Sequence, residues 1–390
     1  MTTFTDYFDF ERPSHPVGII AMPGAEVIGK RIDEYLVEWY NKKAVQQKKP
    51  NLFRDTFLIN AKFPRFATGD GKAVISETVR GLDLYIIADV GNYHCTYKLY
   101  GNDVPMSPDE HFADLKRVIS AAGGKPERIS VIMPILYGGR QHRRNARESL
   151  DCAMMLQELH AMGVKEFITF DAHDPRVQNA VPLMGFDNFF ATYQMMKALH
   201  KRHEDFTFDK NHCMIVSPDE GAMGRNIYYA SVLGLDLGMF YKRRDYSSVV
   251  DGRNPIVSHE YIGSPVMGMD VFVADDIIAT GESMLHLAGE LKSRGANRVF
   301  ALATYALFTA GLEAFDEAYA KGDIAGVIST NLTYTREELQ ERPWYIGADL
   351  SKYIAYIIAA CNQNKSVSAL LEPVSKINEL IGKINSKRSR

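Results

Sequence analysis

Thirteen residues carry the densest chemistry in this chain: Val271-Phe-Val-Ala-Asp275-Asp276-Ile-Ile-Ala279-Thr280-Gly281-Glu282-Ser283. The apolar run predicts a buried strand that delivers Asp275 and Asp276 to its C-terminal end. A turn with a hydroxyl, a glycine and a second hydroxyl then opens a helix. Backbone N–H groups at the start of that helix, joined by the Thr280 and Ser283 hydroxyls, suit a phosphate. The two carboxylates accept hydrogen bonds from vicinal sugar hydroxyls. A phosphate and a diol at this spacing describe a ribose 5-phosphate. Glu282 sits within the phosphate turn, where an inward carboxylate would oppose the ligand. It is expected to point outward as an early-helix acid, which the helix dipole favours.

Four other segments place charge beside strand ends or turns. Leu136-Tyr137-Gly-Gly-Arg140-Gln141-His142-Arg143-Arg144 is a solvated basic loop or a guanidinium fork for polyphosphate. Phe170-Asp171-Ala172-His173 sets a carboxylate and an imidazole two residues apart, able to share a divalent cation with phosphates; a lone histidine is more often structural. Val216-Ser217-Pro218-Asp219-Glu220-Gly221-Ala222 is a turn with a further carboxylate. Met239-Phe240-Tyr241-Lys242-Arg243-Arg244 puts three cations after an apolar stretch. By itself that run reads as a solvated loop.

Together these segments resemble the ribose-phosphate pyrophosphokinase family. The Asp275–Ser283 string is similar to the loop that binds phosphoribosyl pyrophosphate (PRPP), which type I phosphoribosyltransferases share. The resemblance implies that Asp275, Asp276, Ala279, Thr280, Gly281, Glu282 and Ser283 form the ribose 5-phosphate site, although the family usually has a small residue at the position of Glu282. It implies that Arg140 and Gln141 contact ATP, that His173, Asp171 and Asp219 serve Mg²⁺, and that Lys242 and Arg244 stabilise the transferred group. Phosphoryl transfer needs positive charge where negative charge accumulates, more than it needs a base. The clearest departure is Gly69-Asp70-Gly71-Lys72. There Asp70 matches the family's ATP-binding loop, but Lys72 replaces a glutamate. Both are taken as ATP-side residues. The activity implied is transfer of pyrophosphate from ATP to ribose 5-phosphate by a homo-oligomer, a dimer or hexamer. Two rivals are a PRPP-consuming phosphoribosyltransferase and a non-catalytic regulatory relative.

These residues need strand ends to hold them. Continuous apolar runs at Leu84–Ala88, Ser130–Met133, Phe167–Phe170, Met214–Val216, Val271–Ala274, Val299–Ala303 and Val327–Ile328 predict strands covered on both faces, as in parallel sheets. Helical periodicity runs from Ala146 to Met162 before Gly163, and from Ser283 to Arg294 before Gly295. Alternation of this kind predicts an α/β protein. The two helix–glycine–strand units resemble each other, a weak sign of internal duplication. With the resemblance, the expected fold is two tandem type I phosphoribosyltransferase-like domains, each a mostly parallel sheet flanked by helices. The first covers 1–190 on the ATP side and the second 191–350 on the ribose side. A C-terminal helical extension follows over 351–390, and the polar stretch Glu38–Pro50 reads as an added segment.

A chain of 390 residues exceeds one ordinary core. Its 45 basic and 48 acidic residues nearly cancel, which argues against a broad nucleic-acid-binding face. Cys95, Cys152, Cys213 and Cys361 stand far apart with no Cys-x-x-Cys pair, as expected of buried thiols in a reducing compartment. Neither a secretory signal nor a membrane span is expected, and the cytoplasm is the expected location.

Overall fold

The structure, a computed structural model, describes residues 8–10, 14–244 and 256–387. It divides into two compact units: 1–190 with 331–334 and 349–372, and 191–330 with 335–348 and the chain from 373 onward.

In unit 1 the elements run β1 (Val17–Ala21), α1 (Glu26–Gln46), β2 (Ala61–Lys62), β3 (Val74–Ile75), β4 (Asp83–Ile87), β5 (Thr96–Leu99), β6 (Asn102–Pro105), α2 (Pro108–Ala122), β7 (Arg128–Ile132), α3 (Asp151–Ala161), β8 (Glu166–Phe170) and β9 (Gly185–Phe189). The main sheet has the order β1-β4-β7-β8-β9 and is parallel throughout. Every residue of β4 is buried, which is why Leu84–Ile87 run without polar alternation, and the one carboxylate, Asp83, is paired with Arg128. Ser107 starts α2 with a reciprocal capping box to Glu110, and Gly123 ends it in a left-handed conformation. The stretch Glu38–Pro50 is no appendage. It is largely the outer end of α1, whose Ile28, Ile32, Leu36 and Trp39 recur at helical spacing and are buried. Helix α3 starts at Asp151, later than its periodicity suggests, and ahead of it the Glu148 carboxylate accepts the Asn145 N–H.

Unit 2 runs α4 (Thr192–Arg202), β10 (Cys213–Ser217), α5 (Met223–Leu233), β11 (Asp236–Arg244), β12 (Ile256–Ile262), β13 (Asp270–Ile278), α6 (Glu282–Ser293), β14 (Arg298–Ala306), α7 (Glu313–Lys321), β15 (Gly326–Thr330) and β16 (Tyr345–Ala348). Its sheet has the order β12-β11-β10-β13-β14-β15-β16. All neighbours are parallel except β11 and β12, an antiparallel arm. Strand β13 continues past Ala274 because Ile277 and Ile278 still pair with Tyr305 and Ala306 of β14. Asp275 and Asp276 therefore lie within the strand, not beyond it.

The C-terminal region, expected as one extension, is shared out. Helices α8 (Ser351–Asn362) and α9 (Ser368–Leu371) belong to unit 1, and α10 (Val374–Lys387) to unit 2. The reason is apolarity: Ile354, Ala355, Ile357 and Ile358 of α8 are fully buried, and Tyr356 stacks on Trp39 of α1. A helix apolar on so many sides has to be covered. Asn385 of α10 exchanges two hydrogen bonds with the backbone of Phe208. No helix among the described residues is long and apolar enough to cross a membrane.

Candidate active site

In unit 2 the residues expected to bind the sugar phosphate lie where β13 meets α6. Gly281 has φ +90°, and a Cβ there would lie 2.3 Å from the Phe315 ring. Only glycine fits a backbone so placed. The turn is tied down by Thr309 N–H to the Ala279 carbonyl at 2.9 Å and Leu307 N–H to the Ile278 carbonyl at 2.8 Å. Thr280, Glu282 and Ser283 are exposed, and Glu282 is the first residue of α6. The Glu282 N–H reaches the Thr280 hydroxyl at 3.5 Å.

Asp275 and Asp276 face a cation that the sequence did not single out. Arg225, on the first turn of α5, lies 3.6 Å from Asp275 and 3.8 Å from Asp276, with its side chain only 7% exposed. Burial, and next the charge of Asp276, push the Asp275 carboxyl up to about 7. Beside Arg225, Asn226 fixes α5 to the strand: its amide donates to the carbonyls of Ala274 and Ala222, both at 2.8 Å. On the neighbouring strand β10, the Ser217 hydroxyl donates to the Asp219 carbonyl oxygen, and the Asp219 carboxylate accepts the Ala222 N–H. Asp219 thus sits at the same strand end as the acidic pair.

The backbone of Lys242 and Arg244 belongs to β11 rather than to a loop, paired with His259 and Ile256 of β12. Residues 245–255, which follow, lie outside the described residues.

In unit 1 the loops after β7 and β8 come together. His142 bridges them: its Nε2 is 3.5 Å from the Asp174 carboxylate, and its ring lies 5.3 Å from that of His173. The Arg176 guanidinium beside Asp174 holds that carboxyl down at about 2. Asp171 adopts φ +44°, a left-handed conformation that aspartate tolerates better than most residues. Its N–H donates to the Phe189 carbonyl at 2.8 Å. Asp171 is buried, whereas His173, Arg140 and Gln141 are exposed. The Asp70 loop is a tight fold: Phe66 N–H donates to the Asp70 carbonyl, and the Asp70 carboxylate accepts from Thr68. Lys72 is exposed. Arg65 anchors this loop to α2 through two bonds to buried Asp114.

Among the described residues no three His, Cys, Asp or Glu side chains gather to hold a metal ion. Arg225 and His142 are the functional candidates missed in the sequence. An acidic pair with one buried member does call for a counter-ion, but nothing along the chain says which basic residue supplies it.

Two family models match the chain. "N-terminal domain of ribose phosphate pyrophosphokinase" covers residues 18–163, and "Phosphoribosyl transferase domain" covers 191–323. A ribose-phosphate pyrophosphokinase of Haemophilus influenzae is 30% identical over 318 residues, 80% of this chain and 91% of that protein. One from Vibrio parahaemolyticus is 29% identical with the same coverage. The crystal structure of phosphoribosylpyrophosphate synthetase from Mycobacterium smegmatis shares the fold, with TM-score 0.69 and 19% identity over 90% of this chain and 99% of that one. A pyrophosphokinase N-terminal domain followed by a phosphoribosyl transferase domain defines a two-domain enzyme. The chain belongs to the ribose-phosphate pyrophosphokinase family.

Proposed function

We propose that this enzyme transfers the pyrophosphoryl group of ATP to C1 of ribose 5-phosphate, giving PRPP and AMP. The observation that carries this is the end of β13, where an acidic pair and a hydroxyl-lined turn stand a few residues apart in the phosphoribosyl transferase domain. The sugar phosphate is held by Thr280, Gly281 and Ser283, with Ala279 in the turn, and its hydroxyls donate to Asp275 and Asp276. Glu282, in the first turn of α6, is assigned an outward role that the helix dipole favours. Arg140 and Gln141 bind the nucleotide, with Asp70 and Lys72 on the ATP side. The C1 hydroxyl oxygen attacks the β-phosphorus in line, the bond from that phosphorus to the α,β-bridging oxygen breaks, and the hydroxyl proton passes to solvent. Lys242 and Arg244 offset the growing charge.

Magnesium suits the donors present. Mg²⁺ takes one or two protein ligands and completes its shell with phosphates and water, so a site without three protein donors is compatible with it. Asp171 and His173 are the contacts assigned on the ATP side, and Asp219 on the ribose side. When bound, the ion neutralises phosphate charge. We assign the active form to a homo-oligomer on family resemblance.

The test is product analysis. ATP and Mg²⁺ with ribose 5-phosphate should yield AMP and PRPP in equal amounts, and omission of the sugar phosphate should abolish AMP. No AMP under either condition would favour the non-catalytic reading, which Lys72 supports. PRPP consumption with a free base would favour a phosphoribosyltransferase.

A further inference from the structure

Arg225 is placed where a cation is costly. It stands in the first turn of α5, where the helix dipole disfavours positive charge, and its side chain is almost fully removed from water. Asn226 locks that turn onto β13 at Ala274, one residue before the acidic pair. The guanidinium meets each carboxylate at ion-pair rather than hydrogen-bond separation, one nitrogen to each.

We propose that Arg225 is a positioning residue for the sugar site, holding Asp275 and Asp276 to one guanidinium and setting how much negative charge they offer to ribose hydroxyls. This rests on the ribose 5-phosphate reading of the site. An ionised carboxylate accepts hydroxyl protons through both oxygens, whereas a protonated one loses part of that capacity. Asp276 is buried and Asp275 partly so; desolvation and then the charge of Asp276 oppose ionisation of Asp275 while Arg225 favours it, and Asp275 holds its proton toward neutrality. Among the described residues, these groups stand near it. Asp276 is its strand neighbour and Arg225 comes from α5. On β14, Ala303 and Tyr305 lie opposite Asp275 and Ile277. Strand β10 carries no charged side chain, though Asp219 follows it, and α6 opens with Glu282. Removing the guanidinium leaves the pair to retain a proton to higher pH.

The experiment is calorimetric titration with ribose 5-phosphate between about pH 6 and 9 at fixed Mg²⁺, on wild type, Arg225→Gln and Arg225→Lys. Wild-type affinity should fall on the acid side. In Arg225→Gln that limb should move up by about one pH unit or more, a roughly tenfold loss at neutral pH that recovers toward pH 9. Arg225→Lys should restore most of it. The ligand's own second ionisation, near about 6, is common to all three proteins, so the difference between profiles is the readout. A uniform loss at every pH, with the limb unmoved, would mean that Arg225 only packs and would overturn the proposal. If Arg225→Gln does not fold, proton counting on wild type in two buffers decides. Binding near pH 7 should release protons beyond the ligand's share, and none released overturns it. A wild type that binds no ribose 5-phosphate at any pH would instead fail the site reading itself.

Discussion

Arg128 grips Asp83 at the first residues of β7 and β4, with Nε 2.7 Å from Oδ1 and Nη2 2.6 Å from Oδ2. The two are register partners across the parallel ladder. Unit 2 repeats the device: Arg298 and Asp270 open β14 and β13 as register partners, with the matching contacts at 3.0 and 2.7 Å. The same pair in the same register thus recurs in the two sheets, although it matches β7 with β14, whereas the helix–glycine–strand repeat in the sequence matches β8 with β14. In unit 1 the brace also receives α8, through Arg128 to the Cys361 carbonyl and Asn362 to Asp83.

Removing either arginine strands a largely buried carboxylate, a loss worth about 3–5 kcal/mol when a buried pair is broken from one side. Arg128→Ala is expected to lose stability in that range by urea unfolding. Arg298→Ala should lose somewhat less, since the Asp270 side chain is 10% exposed against 3% for Asp83. Losses below about 1 kcal/mol in both would reduce the braces to surface ion pairs.

Asp89 predicts a pH dependence. It accepts hydrogen bonds from Gly91 N–H, the Thr333 hydroxyl and Tyr334 N–H, yet burial outweighs these donors and pushes the carboxyl up to about 7. A carboxyl whose folded pKa lies above its unfolded value near about 3.9 binds more protons when folded. Its contribution to stability is therefore highest below about pH 4, falls as pH rises and levels off above about 7. Asp89→Asn should remove a slope of up to about 1.4 kcal/mol per pH unit in that window. The amide leaves a fixed cost at one N–H, which adds no slope. Parallel stability curves for the two proteins would show that the three donors keep Asp89 ionised.

What could be read from the chain follows from how local each signal is. The strand at Val271–Ala274, the turn at Thr280–Gly281 and the helix ending before Gly295 are set by neighbours in sequence, through apolar runs, a positive-φ glycine and helical spacing. Arg225 and His142 come to their partners through tertiary packing, which leaves no trace in local pattern. Glu38–Pro50 misled because a helix that buries one face early and ends in solvent looks like two segments. The C-terminal helices misled for the opposite reason. Their position at the end of the chain suggests an addition, while the apolarity of α8 requires a core.

The phosphate turn should be sensitive at two adjacent positions in different ways. Thr280→Val keeps shape and removes a donor, and ribose 5-phosphate binding should weaken by about 1–3 kcal/mol with little change in ATP binding. Gly281→Ala sets a Cβ against buried Phe315, so it should cost stability as well as sugar-phosphate affinity. Equal weakening of both ligands by Thr280→Val would mean that the two sites are misassigned.

Lys242 is assigned to the transition state on family resemblance. Lys242→Ala should then lower kcat by on the order of a hundredfold or more, with KM values little changed, as for other preorganised charge donors. An unchanged kcat would remove the residue from catalysis and leave Arg244 to be tested alone.

The Asp70–Lys72 loop, proposed for the ATP side, is where this chain is expected to depart furthest from the family pattern. Lys72 brings an ammonium, which only donates, to a position where the family resemblance implies a carboxylate, which accepts. The same contact cannot survive that exchange. The loop around it is nonetheless well built: Arg65 holds it to Asp114, and Lys72 N–H donates to the Pro64 carbonyl at 3.0 Å. A loop so anchored presents the Lys72 side chain to solvent from a fixed backbone, suited to a phosphate rather than a ribose hydroxyl. Lys72→Glu is therefore expected to change ATP affinity or purine selectivity and to leave ribose 5-phosphate binding intact. Calorimetry with ATP, GTP and ribose 5-phosphate on both proteins measures this. Identical nucleotide binding in wild type and variant would place Lys72 outside the site, and a wild type that binds no ATP at millimolar concentration with Mg²⁺ would end the pyrophosphokinase reading.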